Sequence, residues 1–407
     1  MKINISNFTS KLGLAAMAGT LLLASCNKSL PDATPIVTTL PTGSTIGDII
    51  NTDTTYSIFK IAATRAGVLP TLMDRSLTFT VFLPNNAAFR ASGIASDAVM
   101  TALPLTTVVP LVQYHITGGQ TFGSTAIPTS FPNIQLPTNL VLLSPLFRMS
   151  IFPSKRGTSY YANNIPVTSV DGVAANGVIN NVAAVVAPPS LVLAQIIYAD
   201  PNLTYFTAAI ARGDSGQVGT NRIDSLLKYP PVNMTVLAPT DAAMRAVLDT
   251  NIRRGLLLQN PTLSPAIAAA QATALASSPT VFSNPVLYSV LTATVVRGIV
   301  AYHILATQTA TTPAPAFTPN IRAFSVNFPT TATFFQTLVN NSLSIHPGIS
   351  AKATFNGPFV ASLQFTGYGT LPTGGAPFSS PAANTVSIDR HAVNGITHTI
   401  DRVLLPQ

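Results

Sequence analysis

A chain of 407 residues is too long for one core of ordinary size, so its length implies two folding units. Charged residues make up only 8% of it, so the surface is polar but mostly uncharged; the formal charge of +8 comes from scattered Lys and Arg, adjacent only at Lys155-Arg156 and Arg253-Arg254. That scatter excludes the basic stripe of a nucleic-acid binder, and a single cysteine, Cys26, excludes an intrachain disulfide.

In chain order, Lys2 and Lys11 precede an apolar run from Leu12 to Leu23 that is too short for a stable membrane span. The run ends in Leu23-Ala24-Ser25-Cys26, which resembles the lipobox of bacterial lipoproteins. The resemblance implies a signal peptide over 1–25, lipid attachment at Cys26 and a lipidated tether over 26–43 rich in Pro, Ser and Thr. Asn27 after the cysteine points to the outer membrane, so we expect an exported, lipid-anchored protein of the cell envelope, facing the periplasm or the surface.

From Thr45 onward, Ile46, Ile49 and Ile50 and then Ile58, Phe59, Ile61 and Ala62 recur at helical spacing, with Gly67 as the expected C-cap. Thr78 to Phe89 reads as a strand turning into a helix. Phe79, Val81 and Leu83 alternate with Thr80 and Phe82, Pro84 ends the pairing, and Asn85 followed by Asn86 caps the helix. A helical stretch then ends in Tyr114-His115-Ile116, strands are expected between about 122 and 170, and Asn176-Gly177 opens an apolar tail closing at Pro188.

The same three landmarks return in the same order: Thr235 to Pro239 with Thr240 and Asp241 as the cap, then Tyr302-His303-Ile304, then Asn394-Gly395 with a tail through His398 and Asp401 to Pro406. The second copy is longer, with about 67 residues between Thr235 and Tyr302 against about 34 between Thr80 and Tyr114. One insertion carries an alanine-rich helical run near Pro261 to Pro285; another, Ser344 to Tyr368, suggests added or lengthened strands.

These landmarks resemble the fasciclin (FAS1) domain family, with its T-V-F-A-P-T-D-A-A-F-like motif, its Tyr-His motif and its N-G-V-I-H-x-I-D-x-V-L-L-P-like close. The resemblance implies an α+β fold of two tandem domains, each a wedge or sandwich of strands flanked by helices, over 44–189 and 190–407. It also implies a non-catalytic adhesion or binding protein whose partner is a matrix, glycan or envelope protein, without cofactor or metal. His398 and Asp401 match the family's closing pair, whereas the first copy has Asn180 and Ala183.

Chemistry is sparse. Repetition favours architectural roles for His115 and His303, and the five histidines show no metal-ligand spacing. Two alternatives remain: a structural subunit of a glycan-handling envelope complex, and a hydrolase using Asp389, His391 and His398 in a cleft of the second domain. Arg212-Gly213-Asp214 spells an integrin-read tripeptide, but its position matches Arg65-Ala66-Gly67, so we expect a helix end with Gly213 as its cap. The absence of Trp weighs against a sugar platform, although ten tyrosines remain.

Overall fold

The computed structural model describes residues 40–129, 133–144, 147–310, 315–369 and 382–406; Cys26 and the leader expected before it lie outside them. In the first copy, helices α1 (Ile46–Thr52), α2 (Ser57–Arg65) and α3 (Leu69–Leu72) precede strand β1 (Phe79–Pro84). Then come α4 (Asn86–Ala91), α5 (Asp97–Ala102), α6 (Leu105–Tyr114) and β2 (Ile116–Gly118). Strands β3 (Leu136–Ser144), β4 (Phe147–Ile151), β5 (Pro153–Arg156), β6 (Ser159–Ala162), β7 (Ile165–Ala174) and β8 (Gly177–Val182) complete it.

The second copy repeats the plan. It holds α7 (Leu193–Tyr198), α8 (Thr204–Gly213), α9 (Ile223–Lys228), β9 (Met234–Pro239), α10 (Asp241–Gln259), α11 (Pro265–Leu275) and α12 (Ala293–Tyr302). These are followed by β10 (Thr307–Ala310), β11 (Ala316–Thr318), β12 (Thr333–Phe335), β13 (Ile349–Asn356), β14 (Phe359–Thr366), β15 (Ala383–Ala392) and β16 (Gly395–Ile400).

Each copy builds a six-stranded sheet, in the order β2-β1-β8-β7-β6-β5 and β12-β13-β14-β15-β16-β9. The landmark strand lies parallel to the closing strand in identical register: Phe79 faces Gly177 and Pro84 faces Val182, as Met234 faces Gly395 and Pro239 faces Ile400. On its other side β1 meets β2 antiparallel, Val81 to Ile116, and β9 makes the equivalent bridge from Val236 to Ile304. The expected lengthening is seen in β14, with 8 residues where β6 has 4, while β12 meets β13 as β3 meets β4, Phe335 to Ile349 and Leu136 to Ile151.

Both faces of the landmark strands are covered, so every residue in them is buried despite the period-2 pattern. Phe79, Val81 and Leu83 enter the helical core with Phe59, Phe89 and Val112, while Phe82 turns to the other face with Tyr114, Met149 and Ile151. The second copy splits the same way, Met234, Val236 and Ala238 toward the helices and Leu237 toward Tyr302 and Phe365.

Thr42–Gln407 form one compact unit. Along the seam between the copies Phe152 and Tyr161 share an apolar cluster with Phe324, Val326 and Ile396. Tyr161 donates its hydroxyl to Pro358 O at 2.9 Å, and Asn133 Nδ2 donates to Arg322 O at 2.9 Å and Asn327 Oδ1 at 2.8 Å.

Candidate binding site

The residues singled out by the repeat form one matched hydrogen-bond set per copy. Thr80 donates to Gln120 O at 3.0 Å and accepts from Phe122 N at 2.7 Å; Thr235 donates to Ile321 O at 2.7 Å and accepts from Ala323 N at 2.8 Å. Asn85 and Thr240 cap the next helix, accepting from Ala88 N at 2.9 Å and Ala243 N at 3.2 Å. Asn86 and Asp241 reach across to a second helix start: Asn86 accepts from Ile58 N at 3.1 Å, Asp241 from Tyr205 N at 3.0 Å and the Thr204 hydroxyl at 2.6 Å. One side chain thus locks two helices together.

Tyr114 donates to Ser150 O at 2.8 Å, and Tyr302 to Gly348 O at 2.7 Å; burial pushes both hydroxyls up to about 12. His115 Nε2 accepts from Val186 N at 3.0 Å, so the proton sits on Nδ1, which donates to Leu111 O at 2.8 Å. His303 repeats this with Leu404 N at 3.0 Å and Ile299 O at 2.8 Å. Both rings are fully buried, and desolvation lowers both to about 4, which keeps them neutral.

Asn176 accepts from Ile46 N at 2.8 Å and donates to Leu72 O at 2.8 Å; Asn394 accepts from Leu193 N at 2.8 Å and donates to Leu227 O at 2.9 Å. Each ties the opening helix to the closing strand. Gly177 and Gly395 follow because a Cβ at either would collide with the Phe79 or Met234 carbonyl of the parallel neighbour.

Asp389 and His398 do meet, but as structural parts, while His391 bonds Arg322. Asp389, with φ 57°, sits in a bulge of β15 and accepts from Ser325 N at 2.7 Å and the Ser325 hydroxyl at 2.5 Å, while its own N–H donates to His398 Nδ1 at 3.3 Å. His398 Nε2 then donates to Ala323 O at 2.8 Å. A Ser-His-Asp trio for catalysis needs the histidine between acid and hydroxyl. Here the carboxylate clamps the serine directly.

The first copy has the same clamp: Asp171, φ 59°, accepts from Ser124 N at 2.8 Å and from the Ser124 hydroxyl, and its N–H donates to Asn180 Oδ1 at 3.1 Å. Asn180 therefore accepts the aspartate N–H in the first copy as His398 does in the second, but its Nδ2 makes no counterpart of the His398–Ala323 bond. Asp401 accepts from Asn384 N at 2.7 Å at the surface, whereas Ala183 holds its strand neighbour through its backbone alone, donating to Pro166 O at 2.9 Å.

Gly213 is not a cap. It ends α8 from inside, where a Cβ would lie 2.9 Å from Arg297 Cα, so it permits close packing against α12. Asp214 is buried, accepting from Ile223 N at 2.9 Å and Asp224 N at 2.8 Å and pairing with Arg297 at 2.8 Å. The tripeptide is folded inward.

Two features went unseen in the sequence. Arg322, between the two backbone groups held by Thr235, is buried at the seam with no carboxylate partner among the described residues. It donates to Asn233 Oδ1 at 2.6 Å, His391 Nε2 at 2.9 Å and Val393 O at 2.8 Å, and lies 4.6 Å from the Phe152 ring centre. Burial lowers it to about 10, and it in turn helps to hold His391, itself desolvated, well below the ordinary histidine range. The second feature is a groove of about 1250 Å³ in the second copy, walled by α10 and α12 and reaching the 3₁₀ turn Leu338–Asn341. None of Asp389, His391 and His398 lines it.

A sequence profile of the Fasciclin domain matches residues 54–188. The first copy is a fasciclin domain. The fasciclin architecture extends to the second copy on the identical β1/β8 and β9/β16 register and the matched threonine, tyrosine, histidine and asparagine bonds. Among solved structures, a FAS1 domain pair from the insect cell adhesion molecule fasciclin I is similar at 13% identity, covering 86% of this chain and 95% of that chain with a TM-score of 0.30.

Proposed function

We propose that this fasciclin protein is a non-catalytic adhesion or binding protein, lipid-anchored through Cys26 in the cell envelope, that holds a matrix, glycan or envelope-protein partner. The observation that carries the reading is the internal use of its polar groups. All five histidines accept a hydrogen bond from an N–H on one ring nitrogen, His346 from Gly348 N, so none stands ready as a base. Contact then falls to the surface, where Phe334 and Tyr368 meet edge to face at 5.9 Å beside edge strand β12, 51% and 57% exposed.

The full chain immobilised against envelope proteins and a glycan panel should retain a partner, and Phe334→Ala with Tyr368→Ala should weaken retention at least tenfold without shifting the melt. Turnover of a glycan or ester substrate that disappears with Asp389→Asn in a folded protein would replace binding by hydrolysis. For the anchor, a fatty-acid analogue fed to cells should label the wild type and not Cys26→Ser; equal labelling would refute lipidation there.

A further inference from the structure

We propose that Asn356, at the tip of the β13–β14 hairpin, is a site of spontaneous deamidation, and that the isoaspartate it forms loosens the seam between the two copies. Asn-Gly is the dipeptide most open to this reaction, because glycine has no side chain to shield its nitrogen, and the chain holds three, at Asn176, Asn356 and Asn394. The fold disarms two of them. Asn176 and Asn394 are buried, and the carboxamide of each is held at both ends, accepting from Ile46 N or Leu193 N and donating to Leu72 O or Leu227 O.

Asn356 lacks that protection. It faces Phe359 across the two-residue turn Gly357-Pro358, in which Gly357 takes a φ of 59°. Both Asn356 and Gly357 are exposed, and among the described residues neither the Asn356 carboxamide nor the Gly357 N–H has a hydrogen-bond partner. Electrophile and nucleophile are therefore adjacent, solvated and tied to nothing else.

The reaction balances within the dipeptide and one water. Gly357 N bonds to Asn356 Cγ, the Cγ–Nδ2 bond breaks, and Nδ2 leaves as ammonia with the peptide proton, closing a succinimide ring. Water then opens the ring. Attack at Cγ gives aspartate; attack at the main-chain carbonyl gives isoaspartate, whose chain runs on through Cβ and Cγ. Both products add a negative charge, but only isoaspartate lengthens the backbone, by one carbon.

The residues after Asn356 give the reaction its consequence. Arg156 Nη2 donates to Gly357 O at 3.2 Å, with its guanidinium 3.4 Å from the Phe355 ring centre, and Tyr161, in the apolar cluster of the seam, donates to Pro358 O at 2.9 Å. Two of the polar bonds that join the copies thus end on the two residues directly after Asn356. One more backbone carbon at 356 displaces both carbonyls relative to β13 and draws Pro358 O away from the Tyr161 hydroxyl, whereas aspartate leaves both in place.

The test holds the full-length chain at pH 8 and 37 °C for several weeks and follows it by peptide mass spectrometry. In the folded protein, conversion at Asn356 should run at least tenfold faster than at Asn176 and Asn394, and in concentrated urea the three should convert at comparable rates. The converted pool, separated by its added charge, should unfold at lower urea than unconverted protein, while Asn356→Asp should unfold with the unconverted protein. In Tyr161→Phe, where the bond to Pro358 O is already absent, the same conversion should lower the midpoint less. Conversion at Asn356 no faster than at the buried pair would overturn the site. A converted pool that unfolds with Asn356→Asp, or an undiminished drop in Tyr161→Phe, would overturn the effect on the seam.

Discussion

The two matched histidines make stability fall with acid in a window that can be calculated. Each is held to about 4 in the folded protein against 6.5 when free, so between these values the unfolded chain binds more protons than the folded one. Stability is complete above pH 6.5 and is lost as pH falls toward 4. The loss is about 2 kcal/mol per histidine at pH 5 and about 3 near pH 4, and His391 and His398, also lowered by burial, add in the same direction. Carboxylates act lower. Asp48, held below its ordinary 3.8 by the Thr45 backbone and hydroxyl, gives up its contribution only as pH falls below that value.

Urea melts from pH 7.5 to 5 should therefore show the midpoint dropping by roughly 0.5–1 M for a chain of this size. His303→Ala should start lower, by about 1–3 kcal/mol for the stranded Leu404 N–H, yet lose about 2 kcal/mol less on the same descent. His115→Ala should match it. A flat wild-type profile to pH 5, or a His303→Ala profile parallel to the wild type, would refute the buried neutral ring.

Asp214→Ala should cost about 3 kcal/mol or more in a denaturant melt, because it strands the Arg297 guanidinium and two backbone N–H groups. Gly395→Ala should be worse than Gly67→Ala, since a Cβ at 395 meets the Met234 carbonyl whereas at 67 it meets nothing within 4 Å and only the φ of +70° opposes it; comparing soluble yield and midpoint checks the order. Asn180→His should place a ring where His398 sits and retain the fold, while Asn180→Ala, which strands Asp171 N, should cost about 1–3 kcal/mol.

The strand-cap-helix landmarks were legible because each is local: alternation, a proline stop and a capping side chain lie within twelve residues. Asn-Gly was legible because its glycine answers a single steric demand. The clamp was half visible, since Asp171 and Asp389 each stand five residues before Asn-Gly, but Ser124 and Ser325 lie at different distances from their Tyr-His landmarks, so no shared spacing pointed to them. Arg322 could not be read, because the matching position holds Thr121 and its purpose exists only where two copies meet. The groove was hidden for a related reason, as it records where α10 and α12 fail to close on each other.

The seam decides how small a working piece of this protein can be. A cut near residue 189 would bare Phe324, Val326 and Ile396 on one fragment and Phe152 on the other, and would leave Arg322 facing water where a ring had covered it. Fragments so exposed would stick to one another. The smallest self-sufficient unit is accordingly the pair, with the seam acting as a weld and not as a hinge.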